Sequence, residues 1–496
     1  MKSRVLAWAI SSLCFTAPAM AQSLPDDDPH WAQKLDADAR AIHVVMLDSH
    51  PGSYDTLNPQ FREQLDAGLA LALERASRTN TKGGWWWALR DYVSGFDDGH
   101  VILSSVGNWG FPVRWPGFLT RYQGLEQRIV ARSDTLANLP PLGAKLIECD
   151  GVDAETLAQE RVGRYRGRWS LEAQRAAFGD WTFLSAQNPW QEEMRECRFE
   201  HDGGVQSYSL EWRDGGSELS QIRNTMVKAP PFNIGMQTLD DGGIWISAST
   251  FDSNPQGPNF EALNALVAQM EGNQNLLRSA PYVVFDVRGN GGGSSIWSLN
   301  MARALWGEDW VEGHRVPPSS GVDWRASQAN VDEFKSFLSS LDEAGTTGEV
   351  RDYAVDAIRG MEAALANGEM YYRQTSSREV AEDRAPTALL PTGRILVLTD
   401  YSCASACLDA VDLWKAAGAI QIGRETSADT VYMEMRDANL PSGLATVTVP
   451  MKVYRDRYRG HNQPHTPQHR MPLETLSEEQ LRSEVSAIAR RQPTRP

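Results

Sequence analysis

The sequence lacks the features that mark membrane, nucleic-acid-binding and repeat proteins. After residue 21, no apolar run approaches the roughly 18 to 20 residues that a membrane-spanning helix needs. Lys and Arg number 48 against 64 Asp and Glu, and the resulting net charge of −16 disfavours binding to phosphate backbones and anionic lipid. No internal repeat, HExxH zinc motif or Walker lysine is present. We therefore expect neither a nucleic-acid partner nor integral membrane association.

The composition is that of a folded protein with several domains. The chain has 496 residues, of which 41% are hydrophobic and 17 are Trp, so core material is ample. The apolar spacing is first helical, then typical of short strands, and finally alternates between strands and helices. We predict a signal peptide at residues 1–21, an N-terminal helical domain at 22–108, a small mostly β domain at 109–214, and an α/β region at 215–490 with a helical insertion at about 320–372.

The first residues have the pattern of a secretory signal. Lys2 and Arg4 precede a mostly apolar stretch at residues 5–15, and small residues up to Ala21 form a cleavage site before Gln22. Cleavage there removes two positive charges and changes the net charge from −16 to −18. We predict a periplasmic or secreted protein.

Cysteine is scarce, with five residues in the chain. Cys14 lies in the predicted signal peptide, which leaves Cys149, Cys197, Cys403 and Cys407. An even number in an oxidising compartment favours disulfides, and four cysteines allow three pairings. We favour a Cys149–Cys197 bridge, whereas Cys403 and Cys407 either bridge across one helical turn or remain free buried thiols.

A glycine-rich turn follows the apolar strand predicted at residues 282–287. The turn contains Gly289, Gly291, Gly292 and Gly293, and a helix is predicted to open at Ser294. Glycines let backbone N–H groups point outward and let another backbone approach closely, so this turn can present donors to an anion. Its alternative role is a tight strand-to-helix connection. The pattern lacks a phosphate-binding context, and we exclude a nucleotide site.

A second strand-turn-helix junction contains a serine between two alanines. The strand ILVLT at residues 395–399 leads to Ser405 at the start of a predicted helix. A hydroxyl there lies beside unpaired backbone N–H groups at the positive end of the helix dipole. Ser405 is therefore either a nucleophile or an ordinary helix N-cap.

Together, the two junctions resemble a known family of peptidases. DVRGNGGG at 286–293, followed about 110 residues later by CASACLDA, resembles the signature of the tail-specific, C-terminal-processing serine peptidases of family S41, with their tricorn-core relatives. DDGHVIL at 97–103 is similar to the family's DGH segment, and LPPLGAKLIECDGVDAETL resembles half of a PDZ module. The resemblance implies an α/β fold with a ClpP/crotonase-like catalytic core, an N-terminal helical domain and a small PDZ-like β domain.

The resemblance also implies a serine-type endopeptidase that acts on peptides or proteins. Ser405 would be the nucleophile. The backbone N–H of Ala406, with that of Gly292 or Gly293, would form the oxyanion hole. No metal or other cofactor is required by this chemistry.

The residue that would deprotonate Ser405 is less directly indicated. Processing peptidases of this family commonly use a lysine about 25 residues after the serine, where this chain has Thr430. The lysines that follow are Lys415, predicted on the same helix as Ser405, and Lys452. The tricorn-like branch instead uses a histidine of the DGH segment, so the resemblance favours His100, whose ordinary pKa near 6.5 suits a general base.

At two further positions where the tricorn-like branch has catalytic residues, this chain has different ones. Gly99 stands where the branch has a serine, and Gln463, by approximate offset, stands where it has a glutamate. The candidates to orient His100 are therefore Asp98, Gln463 and a displaced carboxylate such as Glu434.

Two other readings of the sequence stay open. A catalytically inactive, peptidase-like protein could bind peptides by strand addition without cutting them. Three histidines, His461, His465 and His469, could bind zinc, although Pro464 and Pro467 prevent a helix from aligning them.

Overall fold

The computed structural model describes residues 30–226, 230–254, 256–317, 319–343, 345, 347–375 and 389–491. The predicted signal peptide at residues 1–21 lies outside this part of the chain. None of the helices that the described residues form is long and apolar enough to cross a membrane.

The N-terminal region is a group of helices packed around aromatic side chains. Its elements are α1 Trp31–Ser49, a 3-10 turn at Pro51–Tyr54, α2 Gln60–Ala76, α3 Lys82–Ser94 and strand β1 Ile102–Ser105. Thr81 caps α3 by accepting a hydrogen bond from the Gly84 N–H, which satisfies a donor that the helix itself cannot pair. Trp31 and Trp85 are fully buried, with ring centroids 5.7 Å apart.

The next region contains a small antiparallel sheet with short helices between its strands. Its strands are β2 Arg114–Trp115, β3 Phe118–Gln123, β4 Glu126–Arg132, β5 Lys145–Cys149, β6 Val152–Asp153, β7 Glu196–His201, β8 Gly204–Ser209 and β9 Arg213–Asp214. Its helical segments are α4 Ala154–Ala158, a π turn at Gln159–Gly163, α5 Arg164–Arg166, α6 Glu172–Phe178 and a 3-10 turn at Gly179–Phe183. The sheet order is β3-β4-β5-β7-β8, with β6 paired to β5. Strands β2 and β9 pair with each other in a separate two-stranded sheet. The similarity of this region to a PDZ module stays a prediction.

The rest of the chain alternates strands and helices, as predicted. It begins with α7 Gly216–Met226, β10 Ile234–Thr238, β11 Ile244–Ala248, α8 Pro258–Gly272, α9 Gln274–Ser279, β12 Tyr282–Asp286, α10 Ile296–Trp306 and α11 Glu308–His314. It continues with β13 Gly321–Arg325, α12 Gln328–Glu343, α13 Glu349–Ala366, β14 Tyr371–Thr375 and β15 Arg394–Thr399. It ends with α14 Ala406–Ala416, β16 Ile420–Gly423, β17 Tyr432–Asn439, β18 Ala445–Arg455, β19 His469–Arg470 and α15 Glu478–Arg490.

The main sheet has the order β10-β11-β12-β15-β16-β19. All neighbouring strands in it are parallel except the β10–β11 pair at one edge. Apolar side chains of α8, α10 and α14 pack on one face, and those of α15 pack on the other. Because both faces are covered, β11 and β12 are buried along their whole length. The predicted α/β fold class is confirmed.

A second sheet joins the N-terminal region to the C-terminal part of the chain. Its order is β1-β18-β13-β14, with β17 also paired to β18. The insertion predicted as helical contains α12 and α13 but also the strands β13 and β14, so it extends this sheet. Pairing of β1 with β18 brings His100, two residues before β1, to the α/β region.

Candidate active site

The two predicted strand-turn-helix junctions meet at one edge of the main sheet. Strands β12 and β15 are adjacent and parallel, so the turns that follow them leave the same edge. The Ala404 N–H donates to the backbone carbonyl of Asn290 at 3.3 Å. The Gly289 N–H donates to the Asp400 carboxylate at 3.1 Å. These bonds join the glycine-rich turn directly to the segment that carries the serine.

Polar side chains hold the glycine-rich turn in place. Arg288 forms a double hydrogen bond with Asp286, at 2.9 and 2.7 Å, and also binds Glu478 of α15 at 2.9 Å. Asn290 donates to the Ala248 carbonyl at 2.7 Å through its side-chain nitrogen. The polar side chains of DVRGNGGG therefore anchor the turn.

Gly292 packs directly against the serine segment. A Cβ at this position would lie 2.8 Å from Cβ of Ser405 and 2.8 Å from the Ala404 carbonyl oxygen, and the backbone φ of +107° is one that side chains rarely adopt. The Gly292 N–H donates to Oδ1 of Asn290 at 2.9 Å. We therefore revise the expectation that Gly292 supplies an oxyanion donor: its N–H is already bonded, and Gly293 is the glycine of the pair that lines the cavity beside Ser405.

Ser405 stands immediately before α14 in an unusual backbone conformation. Its φ is +53° and its ψ is −122°, and it is half-buried. Such a conformation costs about 1 to 3 kcal/mol for a non-glycine residue and is common at functional sites. Within the described residues, the Ala406 N–H at the first position of α14 has no hydrogen-bond acceptor. This free donor lies where the sequence predicted one.

His100 is held from one side by Asp98. The His100 backbone N–H donates to Oδ1 of Asp98 at 2.7 Å, and Nδ1 of the ring lies 3.5 Å from the same oxygen. The Thr430 hydroxyl donates to the other oxygen, Oδ2, at 2.7 Å. Asp98 and His100 are both buried, with 8% of each residue exposed. With Nδ1 turned to Asp98, Nε2 is the ring nitrogen left to face a substrate or nucleophile.

The surroundings of His100 raise its pKa above the usual 6.5. Burial by itself lowers the pKa, because it disfavours the charged imidazolium, but the hydrogen bond and charge of Asp98 and the charge of Asp429 outweigh it. The pKa of Asp98 is lowered although burial opposes ionisation, because His100 stabilises the carboxylate. Asp98 is therefore an anion that stabilises the protonated form of His100.

One cavity of about 980 Å³ brings the predicted catalytic groups together. His100, Ser405, Ala406 and Gly293 all line it, and so does Glu434. The helical N-terminal region and the two junctions thus both contribute to the lining of this cavity. The space is sufficient for a segment of peptide.

The other predicted candidates are bonded elsewhere. Glu434 binds Nζ of Lys452 at 3.0 Å. Gln463 accepts a hydrogen bond from the Gly460 N–H at 2.9 Å and faces a neighbouring cavity. Lys415 donates to Gln421 at 3.2 Å. Of the three residues expected to orient His100, Asp98 is the one in contact with the ring.

Sequence reasoning did not assign roles to several residues around the site. In the sequence, Thr430 stands out only because it occupies the place of the family lysine. Asp429 is buried and binds Arg457 at 3.1 Å and Arg459 at 3.3 Å. Arg168, from the small β region, lines the cavity and donates to the Ala428 carbonyl at 2.7 Å. The polar run RETSADT at 424–430 is a sequence signal that could have indicated Asp429 and Thr430, whereas no such signal marks Arg168.

All four cysteines of the described residues are in disulfides. Cys149 bonds Cys197 across β5 and β7, and Cys403 bonds Cys407. Ser405 lies between the second pair.

The three C-terminal histidines do not form a group of metal ligands in the described residues. His465 contacts Asp412, with Nε2 3.2 Å from Oδ1, and His461 packs against the Tyr432 ring. Within the part of the chain that the structure describes, no three His, Cys, Asp or Glu side chains are grouped as metal ligands.

One family of known peptidases and a group of solved structures are similar to this chain. Residues 249–469 match the sequence model of Peptidase family S41. The structure of mature CPAF is similar over 89% of this chain and 93% of that one, with 13% identity and a TM-score of 0.56. Mature CPAF complexed with lactacystin matches over 92% and 98% of the two chains, with 15% identity and a TM-score of 0.56.

Residues 249–469 thus resemble the family S41 peptidases, and most of the chain shares the fold of mature CPAF, so the predicted resemblance is confirmed. The residues that match the family model, 249–469, include both junctions and Ser405, whereas His100 lies before them in the sequence. Identities this low show a shared fold and nothing finer. No curated protein sequence matches the chain.

Proposed function

We propose that this chain is an exported serine peptidase that hydrolyses peptide bonds through an acyl-enzyme. Ser405 is the nucleophile and His100 the general base. The observation that carries the proposal is that these two residues, more than 300 positions apart in the sequence, line one cavity. The strained backbone of Ser405 and the pairing of His100 with Asp98 support it.

In the first step, Nε2 of His100 takes the proton from the Ser405 hydroxyl as its oxygen attacks the peptide carbonyl carbon. The imidazolium then gives this proton to the leaving amine, and water hydrolyses the acyl-enzyme by the same route in reverse. Asp98 stabilises the imidazolium and orients the ring. Its 3.5 Å separation from Nδ1 is long for a hydrogen bond, and catalytic bonds of this kind commonly shorten when substrate binds.

The negative oxygen of the tetrahedral intermediate is stabilised by backbone donors. We assign the Ala406 N–H as one donor, because it is unpaired and points from the positive end of α14. We assign Gly293 as the second. One such donor is typically worth about 2.7 to 4 kcal/mol of the activation barrier.

The substrates are peptides or proteins, and the net charge of −18 that remains after removal of residues 1–21 favours neutral or basic sequences over acidic ones. We further propose that the enzyme acts in the periplasm or outside the cell. The signal-like residues 1–21 motivate this proposal, and the two disulfides support it because such bonds persist in oxidising compartments.

A labelled fluorophosphonate tests the proposal, because it reacts covalently with activated serines. We expect the wild-type protein to be labelled at Ser405, and the Ser405→Ala variant to be unlabelled and unable to cleave a mixed peptide pool. Ser402→Ala is a matched control, since Ser402 is an exposed serine three residues earlier in the same segment. It should be labelled like the wild type.

The alternative is a peptidase-like protein that binds peptides without cutting them. If the wild type is not labelled and no peptide is cleaved, while peptides still bind, the peptidase proposal is wrong and this alternative is favoured.

A further inference from the structure

The disulfide between Cys403 and Cys407 encloses the catalytic part of the serine segment. The three residues inside this covalent ring are Ala404, Ser405 and Ala406. They include the proposed nucleophile and the residue whose N–H is the proposed oxyanion donor. The Cα atoms of the two cysteines are 5.3 Å apart, and both cysteines are fully buried.

Two backbone N–H groups inside the ring are not held by hydrogen bonds. Within the described residues, the N–H groups of Ser405 and Ala406 have no hydrogen-bond acceptor. The other backbone groups of the ring are bonded: the Ala404 N–H donates to the Asn290 carbonyl at 3.3 Å, and the Ala404 and Ser405 carbonyls accept from the N–H groups of Cys407 and Leu408 at 3.0 and 2.8 Å. An unpaired N–H is needed for oxyanion binding, so hydrogen bonds to these two N–H groups cannot add to the restraint.

Ser405 nevertheless keeps a φ of +53°, which an unrestrained serine rarely adopts. A conformation of this kind persists only where the surroundings over-determine it. Gly292 blocks movement from one side by its close packing. The disulfide limits the distance between the two ends of the segment and so restricts relaxation along the chain.

We propose that the Cys403–Cys407 disulfide is a positioning element that holds Ser405 and the Ala406 N–H in their reactive geometry. The inference rests on the proposed role of Ser405 as nucleophile. Loss of the bond lets the segment relax and moves the hydroxyl away from His100. Displacements of about 1 Å in an active site can lower rates by about 100-fold.

The second disulfide provides a matched control. Cys149 and Cys197 are 48 residues apart in the sequence and lie in the core of the small antiparallel sheet. A bond that closes a longer loop constrains the unfolded chain more, so its removal should lower the melting temperature more than removal of the four-residue bridge. We therefore predict that loss of Cys149–Cys197 lowers the melting temperature more, whereas loss of Cys403–Cys407 lowers the activity more.

The experiment compares the double variants Cys403→Ala/Cys407→Ala and Cys149→Ala/Cys197→Ala with the wild type. We measure melting temperature, the rate constant for fluorophosphonate labelling, and kcat and KM for a cleaved peptide. The first variant should be labelled about 10 to 100 times more slowly, with a lower kcat and an unchanged KM. The second should be labelled at the wild-type rate despite a lower melting temperature.

A second measurement uses the bond itself. The Cys149→Ala/Cys197→Ala protein is unfolded and refolded in excess dithiol reductant. The reductant passes two electrons and two protons to the Cys403–Cys407 bond, which becomes two thiols, and is itself oxidised to a cyclic disulfide. Labelling should slow as in the first variant, and reoxidation should restore it.

Equal labelling rates with and without the Cys403–Cys407 bond would overturn the proposal. So would a Cys403→Ala/Cys407→Ala protein that does not fold, because the bridge would then be required by the fold and not by the nucleophile. The wild-type rate separates this result from failure of the proposed function: an unlabelled wild type contradicts the peptidase proposal itself.

Discussion

At the scale of single residues, the key feature is a buried carboxylate with a donor on each oxygen. Asp98 accepts from the His100 N–H at 2.7 Å and from the Thr430 hydroxyl at 2.7 Å, and it faces the His100 ring. A buried carboxylate bonded in this way is fixed in position and stays ionised. It can therefore orient His100 and raise its pKa.

Replacing Asp98 by Asn should change both the rate and its pH dependence. The general base must be neutral, so kcat/KM of the wild type should rise through the raised pKa of His100, above 6.5. Asp98→Asn removes the charge that stabilises the imidazolium, so the acidic limb should move to lower pH and the maximum should fall about 10- to 100-fold. Asp36→Asn, on the exposed surface of α1, is the control. An unmoved limb would show that Asp98 does not act on the base.

Thr430 should contribute through Asp98. Thr430→Val keeps the shape of the side chain but removes the hydroxyl that donates to Asp98, and we expect kcat to fall about tenfold with KM unchanged. Thr430→Ser keeps the donor and should retain most of the activity. Steady-state kinetics of the two variants provide the check. Equal activity of the Val and Ser variants would remove Thr430 from the mechanism.

The sequence indicated some of these residues and could not indicate others. The DGH motif singled out His100 and, two residues before it, Asp98. The role of Thr430 depends on a contact between residues 332 positions apart, which arises only when β17 and the N-terminal helices come together. The hydrogen bond from the Gly292 N–H to Asn290 likewise could not be predicted from the sequence, because glycine content does not indicate which backbone N–H remains free.

At the scale of elements, the site depends on close contact between two turns. Gly292→Ala would place a methyl group 2.8 Å from Cβ of Ser405 at a backbone φ that alanine rarely adopts. We expect labelling and peptide cleavage to fall about 100-fold, because the turns must separate. Gly235→Ala, in β10 of the same sheet and outside the cavity, is the control, since nothing lies within 4 Å of a Cβ there. Similar loss in both variants would contradict the contact.

Strands β12 and β15 were predictable because they are apolar and end in clear turn signals. Strand β13 was not, although it is buried throughout, because its sequence GVDWR contains two charged residues. Asp323 is accommodated there by pairing with Arg455 at 2.6 Å and with Arg373 across the sheet. Side chains that look exposed in the sequence thus lie in the interior, and the insertion was predicted as helices alone.

At the scale of the whole molecule, stability and pH are linked through a second buried histidine. His50 is fully buried and stacks on Phe61, with ring centroids 4.3 Å apart. Burial lowers the pKa of His50 to about 3, although the charge of Asp98 opposes this shift. In the unfolded chain, its pKa returns to about 6.5.

The free energy of unfolding should therefore fall as the pH drops from about 6.5 towards 3. In this range the unfolded chain binds a proton at His50 that the folded chain does not, which corresponds to about 1.4 kcal/mol per pH unit. His100 acts oppositely, since its raised pKa contributes stability below pH 6.5 that is lost as the pH rises through that pKa. Denaturant unfolding at several pH values should show a shallower acid slope for His50→Phe. Parallel slopes would contradict a neutral His50.

The central claim is that a histidine from the N-terminal helical region activates a serine of the α/β core. The most direct test is the rate constant for fluorophosphonate labelling of His100→Ala, with folding verified by melting temperature. A general base typically contributes about 10²- to 10⁴-fold, so labelling should fall by that factor. Labelling of a folded His100→Ala protein at the wild-type rate would contradict the account and require a different base for Ser405.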